Sequence, residues 1–159
     1  MNKQKTIGNY EQAKDKALRL LTFRAHSEYE LRNKLKIAGA KDEDIERTLD
    51  FCRRYNFVND LQYAQYKARD LKNLKKFGRR RIETELKMKG ISAEFIDEAL
   101  SELDFEDNTA LWALVKKKLG GDFERKSIDR CIRYFMYRGY ELGEIKKCIE
   151  QLKEESDEM

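Results

Sequence analysis

Apolar residues recur at intervals of three and four along most of the chain, the spacing of amphipathic helices. No stretch sustains the alternation of a half-buried strand, and proline is absent from all 159 residues. Both features predict helices joined by short turns. Glycine placement exposes an internal repeat: Gly39, Gly90 and Gly139 stand 51 and 49 residues apart. Eight residues before them lie Leu31, Ile82 and Cys131, and four before lie Leu35, Leu86 and Phe135. Six residues after come Ile45, Ile96 and Ile145; ten after, Leu49, Leu100 and Ile149; thirteen after, Cys52, Leu103 and Leu152. Five matching apolar positions in three places mark a repeated unit.

Each of these glycines separates two amphipathic segments and is expected to end the first by taking a left-handed conformation. Ser27 and Glu30 form a capping-box pattern at one helix start, the corresponding helix of the second unit begins near Gly78, and Asp42 and Ser92 are placed to start the helices after the glycines. A further helix precedes each pair, presenting Ala17, Leu18 and Leu21, then Leu61, Ala64, Ala68 and Leu71, then Ala110, Leu111, Leu114 and Leu119. Trp112 and Val115 are available there for neighbouring packing. The expected fold is therefore all-α: three tandem three-helix repeats over residues 13–57, 58–105 and 106–152. Residues 1–12 form a flexible lead and residues 153–159 an acidic tail. A unit of about 50 residues holds little core of its own, so the units are expected to stack into an elongated, curved modular array.

Composition narrows the function classes. No apolar run approaches a membrane span and the first residues are polar, so the cytoplasm is the expected location. Cys52, Cys131 and Cys148 are scattered, without a CxxC pair, and the single histidine is His26. These ligands do not make a zinc site, and the cysteines fit buried apolar positions. No GxSxG turn, glycine-rich phosphate loop or isolated carboxylate pair is present. The expectation is a non-enzymatic protein without cofactor or metal. His26 reads as a local packing residue or a surface hydrogen-bonding group rather than an acid–base group, and Trp112 as a packing residue rather than a stacking platform.

Charge is abundant but nearly balanced, 34 basic residues against 30 acidic, a net of +4. Its distribution is uneven. Residues 67–89 carry ten Lys or Arg and three Asp or Glu; residues 116–138 carry eight and three. Lys72, Lys75, Lys76, Arg79, Arg80 and Arg81 flank Gly78, and Arg130, Arg133 and Arg138 are expected along the middle helix of the third unit, near Lys116, Lys117, Lys118, Arg125 and Lys126. Such a face is a solvated surface, or it contacts an acidic protein groove or nucleic-acid phosphates; arginine's planar fork suits both anions. No helix displays an isolated base-reading set, which disfavours sequence-specific DNA recognition.

The order of motifs resembles the RecX family, bacterial regulators of the RecA recombinase. Arg24-Ala25-His26-Ser27-Glu28-Tyr29-Glu30-Leu31-Arg32-Asn33-Lys34-Leu35 is similar to that family's capped first segment, and Phe57-Val58-Asn59-Asp60-Leu61-Gln62-Tyr63-Ala64 to its link into a second unit. Gly78-Arg79-Arg80-Arg81-Ile82-Glu83-Thr84-Glu85-Leu86-Lys87-Met88-Lys89-Gly90-Ile91 resembles its most recognisable stretch. Asn59 departs from the pattern, where many relatives carry an acidic residue, and Arg133-Tyr134-Phe135 replaces a Glu-Leu equivalent. The resemblance covers about residues 13–152. It implies a monomer that binds within the groove of a RecA–DNA nucleoprotein filament and limits recombinase activity and its coupled ATP hydrolysis. Contacts through Arg24, Arg32, Lys72, Lys75, Lys76, Arg79, Arg80, Arg81, Arg130 and Arg133 are the candidates, with single- or double-stranded DNA phosphates as possible partners and no membrane. The alternative is a non-specific DNA-binding helical-repeat protein that acts without a recombinase.

Overall fold

The computed structural model describes residues 6–159, and among them the fold is all-α. Nine helices follow in order: α1 Tyr10–Phe23, α2 Glu28–Ile37, α3 Asp42–Arg54, α4 Asp60–Asn73, α5 Arg79–Met88, α6 Ala93–Ser101, α7 Thr109–Leu119, α8 Arg125–Tyr137 and α9 Leu142–Asp157. They form tandem three-helix units. Helices α1, α2 and α3 pack on one another, and so do α7, α8 and α9. By its contacts the chain divides into two compact units. One runs to Tyr66 and includes Leu86–Ala99; the other comprises Lys67–Glu85 and Leu100–Met159.

Four of the five repeated positions are buried in all three places. Leu31, Ile82 and Cys131 are buried, as are Leu35, Leu86 and Phe135, then Ile45, Ile96 and Ile145, then Leu49, Leu100 and Ile149. The fifth breaks in the middle. Cys52 and Leu152 are buried on α3 and α9, but α6 ends at Ser101, so Leu103 lies beyond the helix and is only half-buried. The leading helices bury a narrower stripe than expected. Ala13 and Ala17 carry it on α1, Ala64, Ala68 and Leu71 on α4, and Leu111, Val115 and Leu119 on α7. Leu18, Leu21, Leu61 and Leu114 are half-buried and Ala110 is exposed. Val115, four residues after Leu111 and four before Leu119, sits on the inward face that Ala110 misses by one position.

The turns follow the expected chemistry with one exception. Gly39, Gly90 and Gly139 all have positive φ, at 93°, 73° and 101°. Ser27 accepts from the Glu30 NH while Glu30 accepts from the Ser27 NH, a complete capping box. The Ser92 hydroxyl accepts from the Phe95 NH at the start of α6. Asp42, by contrast, does not cap α3. The cap is Lys41, without a side-chain hydrogen bond, and Asp42 is the first helical residue, where its charge favours the positive helix end.

The expected flexible lead lies partly outside the described residues. Of its described part, Ile7 is buried in the first core, Asn9 caps α1 and the helix itself begins at Tyr10. At the other end α9 continues to Asp157, so much of the acidic tail is helical. Cys52, Cys131 and Cys148 are free and buried. Trp112 packs partly buried against the third core, with Lys116 Nζ 4.9 Å from its ring centroid.

Candidate functional site

Two polar joints and two basic faces hold the candidate residues, each lying inside one compact unit. The first joint gathers around the start of α2. Arg24 Nη2 donates to Glu30 Oε2 at 2.8 Å, and Lys89 Nζ approaches the same oxygen at 3.4 Å. Ser27 Oγ donates to the Lys89 carbonyl at 2.6 Å, and the Glu28 NH donates to Asp60 Oδ1 at 2.9 Å. Burial alone would raise the Glu30 carboxyl, but hydrogen bonds from Arg24, the Ser27 NH and Tyr63 more than reverse it and hold it at about 2. Burial and the Glu30 charge push the Tyr63 phenol upward.

His26 stands beside this joint, buried at 3% exposure. Its Nδ1 lies 3.0 Å from the Arg24 carbonyl and its Nε2 lies 3.1 Å from Lys34 Nζ. An ammonium only donates and a carbonyl only accepts, so the ring is neutral with its proton on Nδ1. Burial, chiefly, lowers its pKa, and the Arg24 and Lys34 charges add to that. The histidine is a satisfied packing residue.

The second joint surrounds Gly78. The Gly78 NH donates to the Arg138 carbonyl at 2.8 Å and the Arg80 NH to the Gly139 carbonyl at 3.2 Å. Arg138 reaches back to the Lys75 carbonyl, and Tyr140 Oη donates to the Lys76 carbonyl at 2.8 Å. Arg81 is fixed here. It donates to Glu85 at 2.9 Å and to the Tyr137 carbonyl at 3.3 Å, and its guanidinium lies 4.8 Å and 4.9 Å from the Phe77 and Tyr137 ring centroids. With its side chain only 25% exposed, Arg81 braces the joint, while Arg79 and Arg80 are exposed.

Those two are solvent-facing. Arg79 pairs with Glu83 at 3.3 Å and Arg80 with Glu141 at 2.7 Å, both pairs largely exposed. Exposed pairs contribute only about 0–1 kcal/mol, so an incoming anion can replace either carboxylate at little cost. Lys75 and Lys76 beside them are exposed and, among the described residues, have no ion-pair partner. Lys72 and Arg79 both stand over the Phe105 ring, at 5.9 Å and 5.5 Å. This first basic face therefore runs from the end of α4 through the connecting turn to the start of α5.

The second face is on α8. Lys126, Arg130, Arg133 and Tyr137 are spaced four, three and four apart, which puts them on one side of the helix. All four are exposed, and among the described residues none of the three cations has an ion-pair partner. Lys126, named by the sequence among the basic residues of this unit but not among the candidate contacts, completes the stripe of Arg130 and Arg133; the four–three spacing is the signal that joins them. Arg24 and Arg32 lie elsewhere, in the other compact unit, paired with Glu30 and with Glu46 at 2.9 Å. Among the described residues no three His, Cys, Asp or Glu side chains gather to hold a metal, and no helix is long and apolar enough to cross a membrane.

Residues 13–52 match the family described as "RecX, first three-helix domain", and residues 59–100 match "RecX, second three-helix domain". The chain belongs to the RecX family. Among its relatives, "Regulatory protein RecX" of Vibrio vulnificus is 33% identical over 86% of this chain and 90% of its own length. The RecX of Legionella pneumophila is 36% identical over 87% and 93%, and that of Clostridioides difficile 35% identical over 90% and 69%. The crystal structure of RecX from Lactobacillus salivarius has the same fold, with a TM-score of 0.75 at 20% identity, covering 91% of this chain and 96% of that one. As a RecX-family member the chain is of the regulatory class.

Proposed function

We propose that this RecX-family chain binds a RecA–DNA nucleoprotein filament and lowers recombinase activity together with its coupled ATP hydrolysis. Family membership supports the class of regulator. The observation that carries the physical reading is the pair of exposed basic faces, one formed by Lys75, Lys76, Arg79 and Arg80 and the other by Lys126, Arg130 and Arg133. A filament presents acidic protein surface and DNA phosphates together, and cations without tight internal partners can engage either at small desolvation cost. Two contacts on one chain, spanning adjacent protomers, would change the free energy of adding or losing a protomer without any chemistry by the regulator. The ATP site belongs to the recombinase.

The test mixes the purified chain with RecA assembled on single-stranded DNA and follows binding and DNA-dependent ATP hydrolysis. Association with falling hydrolysis supports the proposal; no association with an active filament across a broad concentration range overturns it. Lys126→Gln, Arg130→Gln and Arg133→Gln together should keep helix content and weaken filament binding. The rival, a DNA binder with no recombinase partner, predicts equal affinity for bare DNA and for the filament, and a steep loss of both with salt.

A further inference from the structure

Tyr137, the last residue of α8, is 74% exposed and yet held in place. Its backbone carbonyl accepts from Arg81 Nη1 at 3.3 Å, and the Arg81 guanidinium lies over its ring, 4.9 Å from the centroid. Glu85 fixes that guanidinium in turn, accepting from Arg81 Nε at 2.9 Å. A planar cation therefore backs the ring on one side, and the rest of it faces solvent. Tyr134, the other exposed tyrosine of α8, is used differently. Lys118 Nζ stands 4.1 Å over its ring, which also packs edge-on against Phe135 at 4.9 Å.

The rest of this side of α8 is cationic. Lys126, Arg130 and Arg133 lead up to Tyr137 along a ridge about 16 Å long, at 1.5 Å per residue, with no apolar side chain between them on that side. The single acid of α8, Asp129, is exposed beside the ridge and, among the described residues, has no ion-pair partner. Asp122, whose carboxylate feels the Arg130 charge, is hydrogen-bonded by Ser127 Oγ and the Glu124 NH. The centre of a dry protein interface is poor in charge and rich in apolar and aromatic contact, unlike this ridge. A line of cations ending in one presented ring suits a chain of phosphates that carries planar groups. Bases of a duplex keep their faces stacked on one another, so only unpaired bases can reach the ring.

We infer that the α8 ridge takes single-stranded DNA, with Lys126, Arg130 and Arg133 on its phosphates and one unpaired base stacked on the open face of Tyr137. Arg81 is the positioning residue, holding the ring where the strand leaves the last cation. Stacking of this kind accepts any base, because every base has a π-face. The inference rests on the reading of α8 as a filament contact, and it assigns to that contact the nucleic-acid strand instead of acidic protein surface.

The experiment measures fluorescence anisotropy of the full chain with three end-labelled probes of equal length: oligothymidylate, the same sugar–phosphate strand without bases, and a duplex. Oligothymidylate is expected to bind more tightly than the abasic strand. Tyr137→Ala should lower its affinity by roughly 5- to 150-fold, the loss of one stacked base, and leave the other two probes unchanged. Tyr137→Phe keeps the ring and should restore binding. Lys126→Gln, Arg130→Gln and Arg133→Gln together should weaken all three probes and flatten the log–log salt dependence for the single strands by about 2. Equal affinity of the parent chain for oligothymidylate and the abasic strand overturns the inference, as does Tyr137→Ala weakening all three probes alike. Should Tyr137→Ala lose helix content, Tyr137→Leu replaces it, with the same outcomes. Binding to the RecA filament without binding to any free strand overturns this inference and leaves the filament reading standing. Tyr137-dependent binding to oligothymidylate without association with the filament does the reverse.

Discussion

Replacing Glu30 with glutamine isolates the charge at the first joint while keeping its size. Glu30 accepts from Arg24 at 2.8 Å and from the Ser27 NH at 3.3 Å, and Lys89 stands at 3.4 Å; its side chain is 10% exposed. A carboxyl moved from 4.5 to about 2 carries at most ~3 kcal/mol of charge-dependent stability. The side chain of its main partner, Arg24, is 48% exposed, and solvent screening brings the expected value to about 1–2 kcal/mol. The folded-state value is lowered, so this contribution is complete above the ordinary carboxylate range and fades as pH falls from about 5 toward 2. Urea denaturation followed by helical circular dichroism, on both proteins at steps of pH, gives the gap between them. The gap should be about 1–2 kcal/mol at neutral pH and should close in acid. A gap that stays constant from neutral pH to about 3 would refute the electrostatic account and leave only lost capping geometry.

Leu86→Ala should cost about 2–5 kcal/mol in the same denaturation assay, because Leu86 is fully buried and its removal leaves a cavity; an unchanged midpoint would contradict that burial. Gly90→Ala should destabilise by about 1–3 kcal/mol through positive φ and collision with Tyr29. Gly143→Ala, inside α9 with open space around it, should instead stabilise by about 0.5–1 kcal/mol, and equal shifts in thermal midpoint would refute this contrast. Arg81→Gln should lower stability by about 1 kcal/mol while Arg79→Gln stays within about 0.5 kcal/mol, measured by urea midpoints. The reverse order would show that Arg81 is the surface residue and Arg79 the brace.

The repeat was legible because burial on a helix is periodic. Leu35, Leu86 and Phe135 share a register although their side chains differ, and Ser27 with Glu30 spells a capping box in four residues. Ile7 was not legible, since one isoleucine in a polar lead has no period to reveal it. Leu103 misled for the opposite reason: it keeps the repeat's spacing, but α6 stops two residues before it. Of the candidate surface, the local basic density showed where cations cluster but not which are committed. Arg81 reads like its neighbours, and its brace to Tyr137 lies 56 residues away in sequence. The Tyr63 hydroxyl on Glu30 and the Asp60 carboxylate on the Glu28 NH are likewise meetings of distant segments that no local pattern encodes.

The cysteines give the molecule a built-in set of chemical reporters. Cys52 lies in the first core, Cys131 and Cys148 lie in the third, and residues 59–100 contain none. Burial raises all three thiols, which suppresses the reactive thiolate on top of blocking access. An alkylating reagent therefore reaches each one only when its own three-helix unit opens. Pulsed labelling followed by peptide mass analysis would time the opening of the first and third units separately, on the unmodified chain. A filament partner that holds one end shut would appear as slowed labelling at Cys52 or at the Cys131–Cys148 pair, which makes the native thiols a map of where the regulator is gripped.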